Sequence, residues 1–171
     1  MFSYVTIPDF ESFHAGTSKR LLRYALGLTG DLAEAQDLTQ EAYARAWQRW
    51  RRLSRYDNPE GWLRLVVSRL ATDRWRRIGV RAQRPAPQDS PRVGQPPGEE
   101  HVMLVKALKE LPMDQRRALA LHYLLDMPVA DIAAETGAKL NTVKSWLSRG
   151  RANLATALGY ATMTGGDNGG R

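Results

Sequence analysis

The chain has 171 residues and no cysteine, with 25 Lys plus Arg against 18 Asp plus Glu for a net charge of +7. That length holds one ordinary domain or two small ones and excludes a barrel-sized enzyme. The missing cysteine excludes a disulfide framework, zinc fingers, Cys-ligated iron–sulfur sites and a thiol nucleophile. The apolar runs fall far short of the roughly 20 residues of a membrane span. The opening MFSYVTIPDF lacks the basic flank and apolar stretch of a secretory signal. The expectation is a soluble, cytoplasmic protein with no membrane insertion, and its pI near 10.0 makes a polyanion a natural partner.

In chain order, Leu21, Leu22, Tyr24, Ala25 and Leu28 form a short apolar face that Gly30 should stop. After Asp31, the series Ala35, Leu38, Ala42, Tyr43, Ala46, Trp47 and Trp50 recurs every three or four residues, predicting a helix of about five turns with one buried stripe. On its other side Asp37, Gln40, Glu41, Ala44 and Gln48 form a partly acidic stripe facing solvent or a partner. Asn58-Pro59 then punctuates the chain, with Pro59 suited to a first helical position. A third helix follows to Arg77, burying Trp62, Leu63, Val66, Val67 and Leu70 and leaving Arg64, Arg69, Arg74, Arg76 and Arg77 on its remaining surface.

Charge is distributed unevenly. Residues 1–44 carry a net charge of −3, whereas residues 45–84 hold twelve arginines against three carboxylates. Arginine without lysine at that density favours a phosphate backbone as neighbour, with steep salt dependence.

Five of the nine prolines fall between Ile78 and Glu100 together with three glycines, a composition that reads as an extended, flexible linker. Beyond it, Val102, Leu104, Val105 and Leu108 start a second helical part that breaks at Leu111-Pro112. A helix carrying Ala118, Leu119, His122, Tyr123 and Leu124 stops near Asp126. Pro128 opens a short helix with Val129, Ile132 and Ala133 inward, and Gly137 relieves the turn before a longer helix over 140–158 that buries Val143, Leu147, Leu154 and Leu158. This pairing is the helix-turn-helix arrangement. The second helix offers Asn141, Thr142, Lys144, Ser145, Ser148 and Arg149, small, polar or basic groups of the kind that enter a major groove. The fold class expected is all-α: two small helical domains joined by a flexible linker, with a disordered tail over 161–171.

Catalysis finds no support in the residues. His14, His101 and His122 are scattered, with no partners at metal-ligand spacing, and neither a P-loop nor a dinucleotide fingerprint is present. Asp37 and Glu41 lie one turn apart but lack the facing Glu and His groups of a carboxylate-bridged metal site. No catalytic residue, metal or cofactor is expected.

Three segments, LTGDLAEAQDLTQEAYARAWQRW, NPEGWLRLVVSRLATDRWRR and LPMDQRRALALHYLLDMPVADIAAETGAKLNTVKSWLSRGRANLATAL, resemble in order and spacing the extracytoplasmic-function group (group 4) of the sigma-70 family of bacterial RNA polymerase sigma factors, in its actinobacterial SigE-like type. The resemblance implies region 2 over 1–78, a linker over 79–100 and region 4 over 101–160. It implies that Asp37, Leu38, Gln40, Glu41 and Arg45 bind core RNA polymerase. It implies that Asn58, Trp62, Arg64, Arg69, Arg74, Trp75, Arg76 and Arg77 read the minus 10 element as single-stranded DNA; Trp62 also matches the core stripe, which makes Trp75 the better stacker. Thr142, Lys144, Ser145, Ser148 and Arg149, with Asn141, match the helix that reads the minus 35 element as duplex. Arg149 would grip guanine or phosphate, and Arg116 and Arg117 would touch phosphate or simply be solvated. Relatives are often sequestered by an anti-sigma factor, so such a partner is admitted too.

The chain departs from the family pattern at four positions. Lys139 stands where relatives place a capping Ser or Thr, Trp146 where Arg is common, and Arg69 where many have Asn. Gly150 should weaken its helix by about 1 kcal/mol. A rival reading, a helix-turn-helix repressor or activator acting on duplex DNA without polymerase, accounts for residues 111–158 but leaves the acidic helix and the arginine cluster unused.

Overall fold

The computed structural model describes residues 9–81 and 99–159. They are all-α, with no strand among them, and fall into two compact units divided near residue 86. Most of the expected linker and the whole expected tail lie outside the described residues.

Unit 1 begins with α1, Phe10–Thr29, whose first turn is closed by Asp9: its carboxylate accepts from the Glu11 N–H at 3.3 Å. Gly30 ends α1 in the left-handed region at φ 64° and donates its N–H to Leu26 O at 2.8 Å, a stop that glycine adopts without a Cβ penalty. The Asp31 carboxylate accepts from Glu34 N–H at 2.9 Å and starts α2, Leu32–Gln48. A single turn α3, Trp50–Leu53, leads to α4, Pro59–Arg81, with Asn58 Oδ1 accepting from Gly61 N–H at 2.8 Å.

α1 packs on α2 and α4, and α2 on α4. Their shared core is Leu21, Tyr24, Ala25, Leu28, Ala35, Leu38, Ala42, Ala46, Leu63 and Val67, all essentially removed from water. Each large apolar side chain among them contributes about 1.5–3 kcal/mol of burial free energy, and the alanines let α1 and α2 approach closely. Two expectations change. α4 runs past Arg77 to Arg81, and Trp47, expected in the stripe, is 63% exposed. Trp47 sits on the last turn of α2, where its ring meets that of Phe10 edge to face, with centroids 5.1 Å apart.

Unit 2 comprises α5, Glu99–Glu110, α6, Met113–Leu119, a π-helical turn over Ala120–Leu124, α7, Val129–Thr136, and α8, Leu140–Ala157. α5, α6 and α7 all pack on α8, around Ala107, Leu111, Ala118, Leu119, Leu121, Ile132, Val143 and Leu147. The side chains of Val102 and Val105 lie outside the described residues. Nothing in the residue spacing predicts this wide turn. It turns Tyr123 outward, where its hydroxyl accepts from Arg151 Nη1 at 3.2 Å, and places His122 Nδ1 2.9 Å from Met127 O, to which Nδ1–H donates. Gly137, at φ 71°, closes α7, and three residues later α8 begins. Lys139 occupies the N-cap position of α8 without a side-chain hydrogen bond, as its chemistry dictates.

Gly150 is buried where α8 meets α6: a Cβ there would lie 3.0 Å from Leu119 Cδ1 and 3.2 Å from Leu119 Cγ. The glycine that costs helix propensity is thus the residue that lets these two helices touch.

Candidate nucleic-acid interface

In unit 1 the polar stripe of α2 faces outward: Asp37, Gln40, Glu41, Ala44, Arg45 and Gln48 are all exposed. Glu41 is held on its own helix by Arg45, whose Nε donates at 2.8 Å, whereas Asp37 reaches across to α4. Leu38 does not belong to this surface. It is 1% exposed, because it lies where the stripe meets the packed face of α2, one turn before Glu41, so it supports the stripe from beneath and offers a partner nothing to touch.

α4 divides its arginines between two tasks. Arg64 is 6% exposed, and its Nη1 lies 3.1 Å from Glu60 Oε1; Glu60 in turn accepts two bonds from Arg20 of α1 at 2.9 Å each. This Arg20–Glu60–Arg64 bridge ties α1 to α4. The hydrogen bonds and negative charge of Glu60 raise the Arg20 pKa above its ordinary value. Arg64, expected on the DNA side, is instead a buried brace, because a cation on the packed side of α4 needs the carboxylate one turn earlier. Asn58 is likewise engaged locally as the cap of α4, with its side chain at the surface. Trp62 is half-buried, in line with its position on the core stripe, while Arg69, Trp75, Arg76 and Arg77 are exposed.

Arg74 is partly exposed, with Nη1 3.9 Å from Asp37 Oδ2. The two lie in a groove of about 690 Å³ between α2 and α4 whose walls carry Asp37, Gln40, Glu41 and Arg45 on one side and Arg69, Asp73, Arg74 and Arg77 on the other. Four of the residues expected to hold polymerase, Asp37, Gln40, Glu41 and Arg45, therefore share one cleft with three of those expected to hold DNA, Arg69, Arg74 and Arg77. Sequence reasoning treated them apart, and only the packing of α2 on α4 unites them.

A second groove, of about 620 Å³, runs between α1 and α2 past Phe10, His14, Leu22, Thr39, Tyr43 and Trp47. At its floor the Tyr43 and Thr17 hydroxyls hydrogen-bond at 2.7 Å; burial raises the Tyr43 pKa above 10.0, with the Thr17 bond opposing it. Arg49, Arg51, Arg52 and Arg55, part of the arginine cluster but outside the expected site, are exposed around α3.

In unit 2, Asn141, Thr142, Lys144, Ser148 and Arg149 project from α8 into solvent, and Ser145 and Trp146 are half-buried. Asn141, Lys144, Ser145 and Ser148 follow the three- and four-residue spacing of a single helix face. Arg117 is half-buried. Arg116 departs from expectation. It is 1% exposed, and its Nη2 donates to Lys109 O at 2.8 Å and Leu111 O at 3.0 Å. It satisfies the carbonyls at the end of α5, a role no phosphate can share.

Among the described residues no group of three or more acidic or histidine side chains could hold a metal, and no helix is long and apolar enough to cross a membrane.

Residues 16–80 match Sigma-70 region 2 and residues 101–154 match Sigma-70, region 4, one in each unit. The class is therefore a two-region sigma factor. The chain is 31% identical over 159 residues to the ECF RNA polymerase sigma factor SigE of Mycolicibacterium smegmatis, covering 86% of this chain and 61% of that relative. It is also 31% identical over 153 residues to the RNA polymerase sigma-E factor of Streptomyces antibioticus, covering 88% of this chain and 84% of that one. Among solved structures it resembles the sigma factor RpoE of Bartonella quintana, crystallised with the anti-sigma factor NepR, with a TM-score of 0.65 and 25% identity over 87% of this chain and 98% of that one. The chain belongs to the extracytoplasmic-function group of the sigma-70 family. Sigma factors are not catalysts, so the reaction they serve is carried out by another protein.

Proposed function

We propose that this chain binds core RNA polymerase and directs it to promoters, opening the DNA where transcription starts. Region 2 would span 1–78 and region 4 101–160, joined through 79–100. The exposed stripe Asp37, Gln40, Glu41 and Arg45 would seat the polymerase. Arg69, Arg74, Arg76 and Arg77 would hold the displaced backbone of the minus 10 element, with Asn58 at the start of α4 and Trp75 available to stack on an unpaired base, an interaction worth about 1–3 kcal/mol. Asn141, Thr142, Lys144, Ser145, Ser148 and Arg149 of α8 would read the minus 35 element in its major groove, with Arg117 beside them on phosphate. Leu38, Arg64, Trp62 and Arg116 would act from the core by fixing the elements that carry these contacts.

Tethering the two DNA-binding units raises the effective concentration of the second contact once the first is made. The factor forms no covalent bond; the polymerase does the chemistry. A cytoplasmic location follows from those partners. The likeness to a factor crystallised with an anti-sigma protein supports such a partner here, and the similarity to SigE and sigma-E proteins supports the SigE-like type.

The observation that carries this reading is an acidic-edged helix, an arginine-rich helix and a helix-turn-helix present in family order on one chain. Reversing the charge of the stripe with Asp37→Arg and Glu41→Arg should abolish competition with the wild-type factor for core polymerase. Undiminished competition would refute the assignment.

A further inference from the structure

The α2/α4 groove sets a carboxylate of the polymerase stripe against a guanidinium of the DNA helix. We infer that in the free chain Asp37 holds Arg74 back from DNA, and that a basic surface seated on α2 releases it. This rests on the function proposed above and adds its regulation.

The geometry separates the two carboxylates of the stripe. Glu41 pairs along its own helix with Arg45 at 2.8 Å. Asp37 pairs across the groove, with Arg74 Nη1 3.9 Å from its Oδ2. Both partners remain reachable, with 65% of the Asp37 side chain and 39% of the Arg74 side chain exposed. A guanidinium binds a carboxylate and a phosphate through the same N–H groups. A cation that takes Asp37 therefore frees Arg74 for the nucleic-acid backbone. By linkage, DNA that takes Arg74 uncovers Asp37, so each partner strengthens the other by the same factor. The pair is long and solvent-facing, which limits that factor to about 1.4- to 5-fold at low ionic strength and lets salt erase it. The device is thus a modest bias toward binding DNA after polymerase.

The test is fluorescence anisotropy of the full chain with a labelled deoxythymidine oligonucleotide, without polymerase and at low salt, for wild type, Asp37→Asn, Arg74→Gln and the double variant. Asp37→Asn should tighten binding by about 1.4- to 5-fold, Arg74→Gln should weaken it, and Asp37→Asn should have no effect once Arg74 is gone. Equal tightening by Asp37→Asn in both backgrounds would reveal a general field of the carboxylate; it would overturn the latch and leave Arg74 as a DNA contact. If Arg74→Gln changes nothing even beside Asp37→Asn, Arg74 does not touch DNA and both the latch and that part of the proposed function fall.

Discussion

Gly150→Ala offers a sharp test of the packing in unit 2, because two opposing effects act at one atom. Alanine in a helix interior is favoured over glycine by about 1 kcal/mol. The added Cβ, however, would lie 3.0 Å from Leu119 Cδ1, 3.2 Å from Leu119 Cγ and 3.4 Å from Gln115 Cβ. Leu119 is 5% exposed, so its side chain has to give by a few tenths of an ångström among the packed residues of the core. Overpacking of that kind costs about 1–3 kcal/mol, which leaves a net loss of about 1 kcal/mol. Gly16→Ala is the control: it lies on the exposed side of α1 and a Cβ there meets nothing within 4 Å, so only the gain in helix propensity of up to about 1 kcal/mol applies. Native-state hydrogen exchange, read separately on peptides from α1 and from α6 and α8, reports each unit's opening free energy. Protection should rise in unit 1 for Gly16→Ala and fall in unit 2 for Gly150→Ala. A gain in unit 2 equal to the gain in unit 1 would refute the close approach as the reason for glycine.

Other variants test the site from different sides. Arg116→Ala removes two hydrogen bonds to backbone carbonyls and leaves a void, so unit 2 should lose at least about 3 kcal/mol in denaturant unfolding; a variant that keeps its stability and loses only affinity for minus 35 duplex would restore Arg116 to the DNA surface. Charge reversal at Arg74 and Arg76 should spare duplex binding by unit 2 and suppress promoter opening, seen as lost permanganate reactivity of thymines near the start site; normal reactivity would contradict the role of α4. Burial holds the folded-state pKa of Tyr43 above 10.0, so as pH rises past that value the unfolded chain ionises first and unit 1 weakens. Thermal unfolding of Tyr43→Phe should show a smaller loss between neutral and strongly alkaline pH than wild type, and an identical loss would rule Tyr43 out as its source.

Much of the architecture follows from residue spacing. The stripe from Ala35 to Ala46 and the one from Leu63 to Val67 became core because a 3.6-residue period gathers them on single faces, and Asp31, Asn58, Gly30 and Gly137 mark helix ends by chemistry that acts locally. What escaped depends on neighbours distant in the chain. Arg64 and Arg116 read as surface cations because arginine is seldom buried. For Arg64 a signal was present, the carboxylate of Glu60 one turn earlier; for Arg116 none was, since its acceptors are backbone carbonyls at the end of a different helix. Trp47 satisfies the apolar period, yet α2 ends beside it and leaves it 63% exposed at the rim of the α1/α2 groove. The π-helical turn over Ala120–Leu124 leaves no mark in periodicity. The Asp37–Arg74 pair joins residues 37 positions apart in sequence and exists only because α2 lies on α4.

Reconstitution with core RNA polymerase from the same bacterium, followed by genome-wide run-off transcription, tests the central claim most directly. The account predicts stable association with the core enzyme and new transcripts that begin at a defined set of sites sharing paired minus 35 and minus 10 sequences, absent with core enzyme alone. A purified full-length chain that binds no core enzyme and starts no transcript would contradict it.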